Sequence, residues 1–127
     1  MLGVFNSSTI PALEQTISFA QKRHAVLAGN IANLDTPGYR ARDLSTEDFQ
    51  AALARAIDPE SVSPGELPAN AATPTQAMQH LVFHDDSDVN LEHQVTQIAK
   101  NQHMHNTAIA IMRSQFSQLQ VAISERV

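Results

Sequence analysis

A proline–glycine pair in the first third of the chain constrains its fold more than any other feature. Thr36 precedes a proline and is therefore disfavoured in the helical region, while Pro37 fixes its own φ and Gly38 admits a positive φ. This pairing is typical of the centre of a type II turn. The sequence therefore predicts that a helix ends near Leu34 and that the chain turns before Tyr39.

Two long segments flank this turn, and in both of them the apolar residues recur at alternating spacings of three and four. This heptad pattern is typical of amphipathic helices that pack along one continuous stripe. We call the two sets the apolar seams, although each includes polar positions. The N-terminal seam comprises Ile10, Leu13, Ile17, Ala20, His24, Leu27, Ile31 and Leu34. The C-terminal seam comprises Leu91, Val95, Ile98, Gln102, His105, Ile109, Met112, Phe116, Leu119 and Ile123.

The seams predict an N-terminal helix of about 25 residues and a C-terminal helix of about 36 residues. The second is expected to run from about Val89 to Ser124, with Asp88 as its N-cap. Packing within one subunit and packing against neighbouring copies both explain such stripes. The polar positions Gln102 and His105 lower stability but fix register and partner number. A chain this short cannot wrap a core around both helices, so we expect the seams to pack as a coiled coil, on each other and on other subunits.

Shorter elements are predicted between these helices. Ser45 and Asp48 indicate a helix start, and apolar residues at four-residue spacing support a helix over 46–57. The proline-rich stretch Asp58–Thr75 has almost no large apolar side chain and is expected to be a flexible loop. Leu81–Phe83 is the candidate strand, at best half of a small β-hairpin. The expected fold is a mainly α single domain divided into residues 1–34, 35–88 and 89–127.

Composition argues against several classes of function. The absence of cysteine excludes disulfides and thiol catalysis, and the net charge of −5 disfavours nucleic acid as a partner. His80 and His84 have a spacing that ligates zinc on a helix, but no third ligand is fixed by spacing. No serine or carboxylate pair has a catalytic spacing. We therefore expect no enzyme activity, metal, cofactor or small-molecule substrate.

Asn30 and Asn33 lie near the end of the first predicted helix. Asparagine is unfavourable within a helix, so the presence of both residues requires an explanation. One interpretation is that both residues merely help to end the helix. The other is that their amides bond the backbone of an adjacent helix or turn and fix the register of subunits. Arg40 and Arg42 are either solvated charges or partners for the acidic segment 85–88 of a neighbouring copy.

Two motifs in this chain resemble those of a known family. Asn30, Ile31, Ala32 and Asn33, followed by Thr36, Pro37, Gly38 and Tyr39, are similar to the N-terminal signature of the flagellar axial proteins, the rod and hook subunits. The continuation Arg40–Asp43 resembles the version in proximal-rod members of that family. Val89–Glu92 is similar to the entry to the family's C-terminal helix.

The resemblance implies a structural subunit of the bacterial flagellar basal-body rod. Its implied partners are other copies of itself, other rod proteins, the MS ring and rod-adaptor proteins, so that it would link the MS ring to the distal rod and transmit torque. The alternative is a cytosolic helical coiled-coil adaptor or regulator. That class of protein explains the seams but not the turn motif.

The resemblance also implies export to the periplasmic part of the basal body through the flagellar type III apparatus. Such export leaves no cleaved signal peptide, and Met1–Asn6 lacks both the basic and the long apolar region of a secretory signal. The apolar patch Leu2–Phe5 is the candidate contact with the export gate. No apolar run approaches the length needed to span a membrane.

Overall fold

The computed structural model describes residues 9–58, 72–84 and 90–125. Its elements in chain order are α1 (Ile10–Ala32), β1 (Arg42–Leu44), α2 (Thr46–Ile57), α3 (Pro74–Ala77), β2 (Leu81–Phe83) and α4 (Leu91–Ser124). The mainly helical fold, with one long helix at each end, is confirmed. Coiled-coil packing of these helices stays a prediction. Within the described ranges, no helix has the length and apolarity needed to cross a membrane.

The turn after α1 forms as predicted. The Tyr39 N–H donates to the Thr36 carbonyl across 3.2 Å, and Gly38 has a φ of 75°. A positive φ at the third position, after a proline at the second, is the type II geometry. α1 ends at Ala32, slightly before the expected Leu34. The turn thereby brings the chain back alongside α1 as β1.

The two strands form an antiparallel sheet in which Arg42 lies opposite Phe83 and Leu44 opposite Leu81. β2 lies at the predicted position, but the strands are not the halves of a hairpin because α2 and α3 lie between them in the chain. The sequence prediction does not include β1, since Arg42–Leu44 has no β-branched or aromatic residue. We call residues 33–44, from the end of α1 through the turn and β1, the junction, and the pairing holds β2 against it.

The hydrophobic core lies where α1, α2 and α3 meet. Phe19 of α1 and Phe49 of α2 are buried and stack with their ring centroids 4.2 Å apart. The predicted helix over 46–57 is confirmed, and its N-cap hydroxyl, on Ser45, accepts from the Asp48 N–H at 3.1 Å. The other buried members of the core are Leu44, Ala52, Ala77 and Met78.

Two sequence predictions at element boundaries are corrected. Thr73 begins α3 with a capping box, so Pro74 and Thr75 are helical and not part of the expected loop Asp58–Thr75. Residues 59–71 of that loop lie outside the described residues.

The start of α4 differs from the prediction as well. α4 begins at Leu91, and Asn90 is its N-cap instead of the expected Asp88. The Asn90 side-chain oxygen accepts from the His93 N–H at 2.6 Å, and asparagine is among the most favourable N-caps. Asp88 and Val89 lie outside the described residues.

α1 and α4 pack antiparallel. Asn30 near the end of α1 bonds Gln94 near the start of α4, while the Ala20 carbonyl accepts from Asn101 further along α4. In this register the start of α1 lies beside about residue 110 of α4. The segment 113–124 therefore extends about 18 Å beyond the described part of α1. We call this segment of α4 the overhang.

Candidate assembly site

Asn30 is the centre of a hydrogen-bond network that joins α1, the junction and α4. Its side chain is fully buried. Its amide nitrogen donates to the Arg42 carbonyl at 2.7 Å and to Gln94 Oε1 at 3.0 Å. Its amide oxygen accepts from the Arg42 N–H at 3.1 Å and from the Tyr39 hydroxyl at 3.2 Å. Asn30 thus uses both of its donors and both lone pairs of its acceptor.

The two motif asparagines have different roles. Because Asn30 bonds both backbone groups of Arg42, its amide pairs with the outer edge of β1 as a neighbouring strand would. Asn33 Nδ2 instead donates to the Gly29 carbonyl at 2.8 Å, and its Oδ1 accepts from the Thr36 hydroxyl at 3.2 Å. Asn30 therefore bonds the backbone of β1, which is neither the adjacent helix nor the turn of the second interpretation, and Asn33 helps to end the helix. A role for either in the register between subunits stays a prediction.

A buried ion pair that sequence reasoning misses lies beside this network. Arg23 Nε and Nη2 donate to the two carboxylate oxygens of Asp43, each at 2.8 Å, and Nη2 also donates to Gln97 Oε1 at 2.8 Å. Arg23 is 7% exposed and Asp43 is 8% exposed. The sequence signal is the position of Arg23, four residues from Phe19 and from Leu27. A charge on an apolar helix face indicates a buried partner.

The structure buries the N-terminal seam unevenly. Leu27 and Ala20 are buried, and His24 is exposed. The remaining members of the seam are half-buried: Ile10, Leu13, Ile17, Ile31 and Leu34.

α4 presents a polar side to α1. Its buried residues are Gln94, Asn101 and Ala108, none of which belongs to the C-terminal seam. Within that seam, Gln102 is exposed and four apolar members are more than half exposed: Leu91 at 52%, Val95 at 51%, Phe116 at 52% and Ile123 at 68%. The half-buried members are Ile98, His105, Ile109, Met112 and Leu119. The structure therefore places half of the C-terminal seam against solvent.

The other predicted site residues lie around the turn. Thr36, Pro37 and Gly38 are exposed. The Arg40 guanidinium lies 5.3 Å from the centroid of the Phe83 ring, a cation–π contact, and Arg42 is exposed. The acidic segment 85–88 and the patch Leu2–Phe5 lie outside the described residues. Ala32 is exposed and Tyr39 is half-buried.

The pKa of Glu47 is lowered chiefly by a hydrogen bond from its own backbone amide in the first turn of α2, with further hydrogen bonds from neighbouring hydroxyls. In the part of the chain that the structure describes, no three metal-ligating side chains converge. The site combines a hydrogen-bond network in which Asn30 is fully paired with exposed apolar side chains along α4.

This chain is similar in sequence to a known protein family and to several FlgB proteins. The family described as flagella basal body rod protein matches residues 13–40, which include most of α1 and the turn. The flagellar basal body rod protein FlgB of Escherichia coli (strain K12) is 31% identical over 114 residues, or 80% of this chain and 83% of the relative. FlgB of Cereibacter sphaeroides is 30% identical, covering 86% and 88%. FlgB of Bacillus subtilis (strain 168) is 28% identical, covering 93% and 95%.

Proposed function

Since this chain belongs to the FlgB family of flagellar basal-body rod proteins, we propose that it joins the rod through the exposed part of its C-terminal seam. Membership of the family makes it a structural protein of the rod and not an enzyme. It also favours this function over a cytosolic adaptor. In the proposal the chain assembles with other copies of itself and with other rod proteins, and links the MS ring to the distal rod.

The observation that carries the proposal is the row of exposed apolar side chains on α4. Single exposed apolar residues are common on protein surfaces, but these four lie at heptad positions in two pairs, one at the start of α4 and one in the overhang, about 30 Å apart. A neighbouring helix that lies along α4 would cover both pairs. Covering the exposed half of each side chain contributes about 1 kcal/mol, or roughly 4 kcal/mol for the row. The members of the row are Leu91, Val95, Phe116 and Ile123.

The internal network supports the transmission of torque. The Arg23–Asp43 ion pair and the four hydrogen bonds of Asn30 tie the junction to both long helices. A load that enters through one helix therefore passes to the other through directional, buried contacts. The same contacts hold α4 in place before assembly, so a neighbour meets a preformed surface and less ordering entropy is lost on binding.

Export through the flagellar type III apparatus and a periplasmic location complete the proposal. In the proposal the chain is exported by this route and joins the rod in the periplasmic part of the basal body. The relatives support these steps only through their membership of the basal-body rod.

The test introduces a charge into the exposed row at a position that is exposed to solvent in the single chain. Val95→Asp is compared with Thr96→Asp, an exposed substitution on a different face of the same helix turn. In cells that lack the parent chain, we expect both variants to be made and exported. Only Thr96→Asp should enter rods, because assembly would bury the new carboxylate of Val95→Asp without a partner.

The measurement is purification of basal bodies followed by immunoblotting for the variant subunit. Circular dichroism of the purified chains checks that both variants keep the helix content of the parent. Incorporation of Val95→Asp at the parental level would show that the exposed row is not an assembly surface.

A further inference from the structure

An open notch of about 260 Å³ lies between α1 and α4. Three of its lining residues, Gln21, His24 and Gln102, are exposed, so the notch opens to solvent. None of its six lining side chains is a carboxylate, a lysine or an arginine, and this chemistry fits a neutral polar ligand. The full lining is Ala20, Gln21, His24, Asn101, Gln102 and His105.

Two buried polar atoms of the notch have no hydrogen-bond partner among the described residues. Asn101 is 2% exposed, and its Nδ2 donates to the Ala20 carbonyl at 2.7 Å. Because a carbonyl only accepts, the nitrogen must face it, and Asn101 Oδ1 is left without a donor. Nδ1 of His105, one helical turn later, is also unpaired. Unpaired buried polar atoms are costly, so a ligand in the notch that turns both side chains toward itself and pairs with both atoms is favoured.

The overhang of α4 has the matching chemistry. No charged residue occurs between Ser114 and Ser124. Gln120 is exposed and lies on the same helix face as Phe116, four residues before it, and Ile123, three residues after it. Beyond Arg113 the overhang is therefore a neutral helix face with one amide between two exposed apolar side chains.

We propose that the notch of one copy binds the overhang of a second copy, with the Gln120 amide inserted between Asn101 and His105. The amide donates to Asn101 Oδ1, and because an amide both donates and accepts, it pairs with His105 Nδ1 in either tautomer. This contact rests on the proposed function, since it specifies how copies of the chain meet.

The occupant must come from another copy. The notch and the overhang belong to the same continuous helix, so the overhang cannot fold back into its own notch. The contact joins different surfaces of the two copies. Contacts of this kind repeat from copy to copy and form an open helical array, unless the rotation between copies closes them into a ring. Such an array has the symmetry of a rod.

A photo-crosslinking amino acid at Gln21, on the exposed rim of the notch, tests the contact in purified basal bodies. The rods are assembled from a mixture of ¹⁴N-labelled and ¹⁵N-labelled copies, so that a crosslink between copies is distinguished by mass. We expect the crosslinker to capture the tryptic peptide 114–126 of a second copy, which the arginines at 113 and 126 delimit.

Matched variants then test the two inserted groups. We expect His105→Leu and Gln120→Ala each to lower the crosslink yield at least tenfold. His103→Leu and Gln118→Ala make the same chemical changes at exposed positions of α4 outside the notch and should leave the yield within twofold. Thermal unfolding of the purified chains should show no loss of melting temperature in His105→Leu, because leucine removes an unpaired buried atom.

The contact would be overturned by capture of a different protein, by capture of another segment of this chain, or by rods that contain the subunit but give no crosslink. An unchanged yield in both His105→Leu and Gln120→Ala would also overturn it and would indicate that the notch holds only water. Exclusion of Val95→Asp from rods, together with any of these results, would leave the proposed function standing and refute this contact alone.

Discussion

The first half of α4 and its overhang meet their surroundings in opposite ways. At Gln94, Gln97 and Asn101 the helix faces α1 with polar side chains that are hydrogen-bonded within the chain. At the overhang, Phe116 and Ile123 are more than half exposed, and no described residue of α1 lies beside them. The first half of α4 thus makes contacts within one copy, whereas the overhang leaves apolar side chains exposed, and a periodic sequence does not distinguish the two.

The physical basis of the difference is directionality. Hydrogen bonds and a bidentate ion pair form only at defined distances and angles, so they select one register of α1 on α4. Apolar burial is non-directional and roughly proportional to area, so an exposed stripe stabilises whichever contact covers it. The polar region therefore specifies the fold of one copy, and the apolar region is the surface through which we propose that copies assemble.

The largest expected effect comes from breaking the polar region at its ion pair. Arg23→Met leaves the Asp43 carboxylate buried without its cation, and we expect a loss of about 3–5 kcal/mol in the free energy of unfolding. Urea titration followed by circular dichroism measures this loss. The double variant Arg23→Met/Asp43→Leu removes both charges and should recover most of it. A loss below about 1 kcal/mol in the single variant would contradict the assigned role of the pair.

A smaller loss is expected at the motif asparagine. Asn30→Leu leaves Gln94 and the backbone of Arg42 without partners, and at about 1–3 kcal/mol per buried group we expect a loss of roughly 3 kcal/mol. Asn33→Ala is the control, because its bonds lie at the half-buried end of α1 and its loss should be about 1 kcal/mol. Equal losses of stability in the two variants would show that the hydrogen bonds of Asn30 contribute no more to stability than those of Asn33.

Gly38 of the turn and Gly29 of α1 should respond to alanine substitution with opposite signs. Gly38→Ala places a side chain at a φ of 75°, and we expect a loss of about 1–2 kcal/mol. Gly29→Ala lies within α1, where the new Cβ would meet the Tyr39 hydroxyl at an ordinary 3.9 Å, and we expect a gain of up to about 1 kcal/mol. Melting temperatures of the purified variants test both signs.

Substitutions in the apolar region should change the free energy of unfolding of a single copy much less than substitutions in the polar region. Phe116→Asp and Ser117→Asp change exposed residues of the overhang, and we expect each to alter the free energy of unfolding by about 0.5 kcal/mol or less. In basal bodies, however, Phe116→Asp should be absent while Ser117→Asp is present. A large loss of stability in Phe116→Asp would mean that the overhang is already packed within one copy.

The smallest expected effect is a change in the free energy of unfolding with pH. The pKa of Glu47 is lower in the folded chain than in the unfolded chain, so its carboxylate stabilises the fold above the unfolded pKa. That contribution is lost as the pH falls through the lowered folded pKa. Because Glu47 is almost fully solvated, the effect is small. Glu47→Gln should remove it, and unfolding curves of the parent and the variant should differ near neutral pH and converge in acid.

Local chemistry determined the parts of this protein that depend on neighbours along the chain. The type II turn follows from Pro37 and Gly38, and the start of α2 follows from the Ser45 hydroxyl three residues before Asp48. The two long helices follow from their heptad spacing. The strand at Leu81–Phe83 follows from its residue types, although its partner does not.

The tertiary structure alone decided which groups meet across the chain. Arg23 pairs with Asp43 and Asn30 with Gln94 only because the turn returns the chain beside α1 and α4 then lies antiparallel to it. Heptad spacing identifies an apolar stripe but not the side of a helix that faces its own chain. On α4 that side is polar, since the opposite surface offers a carbonyl, an amide and a guanidinium that stabilise buried glutamine and asparagine more than they would stabilise leucine.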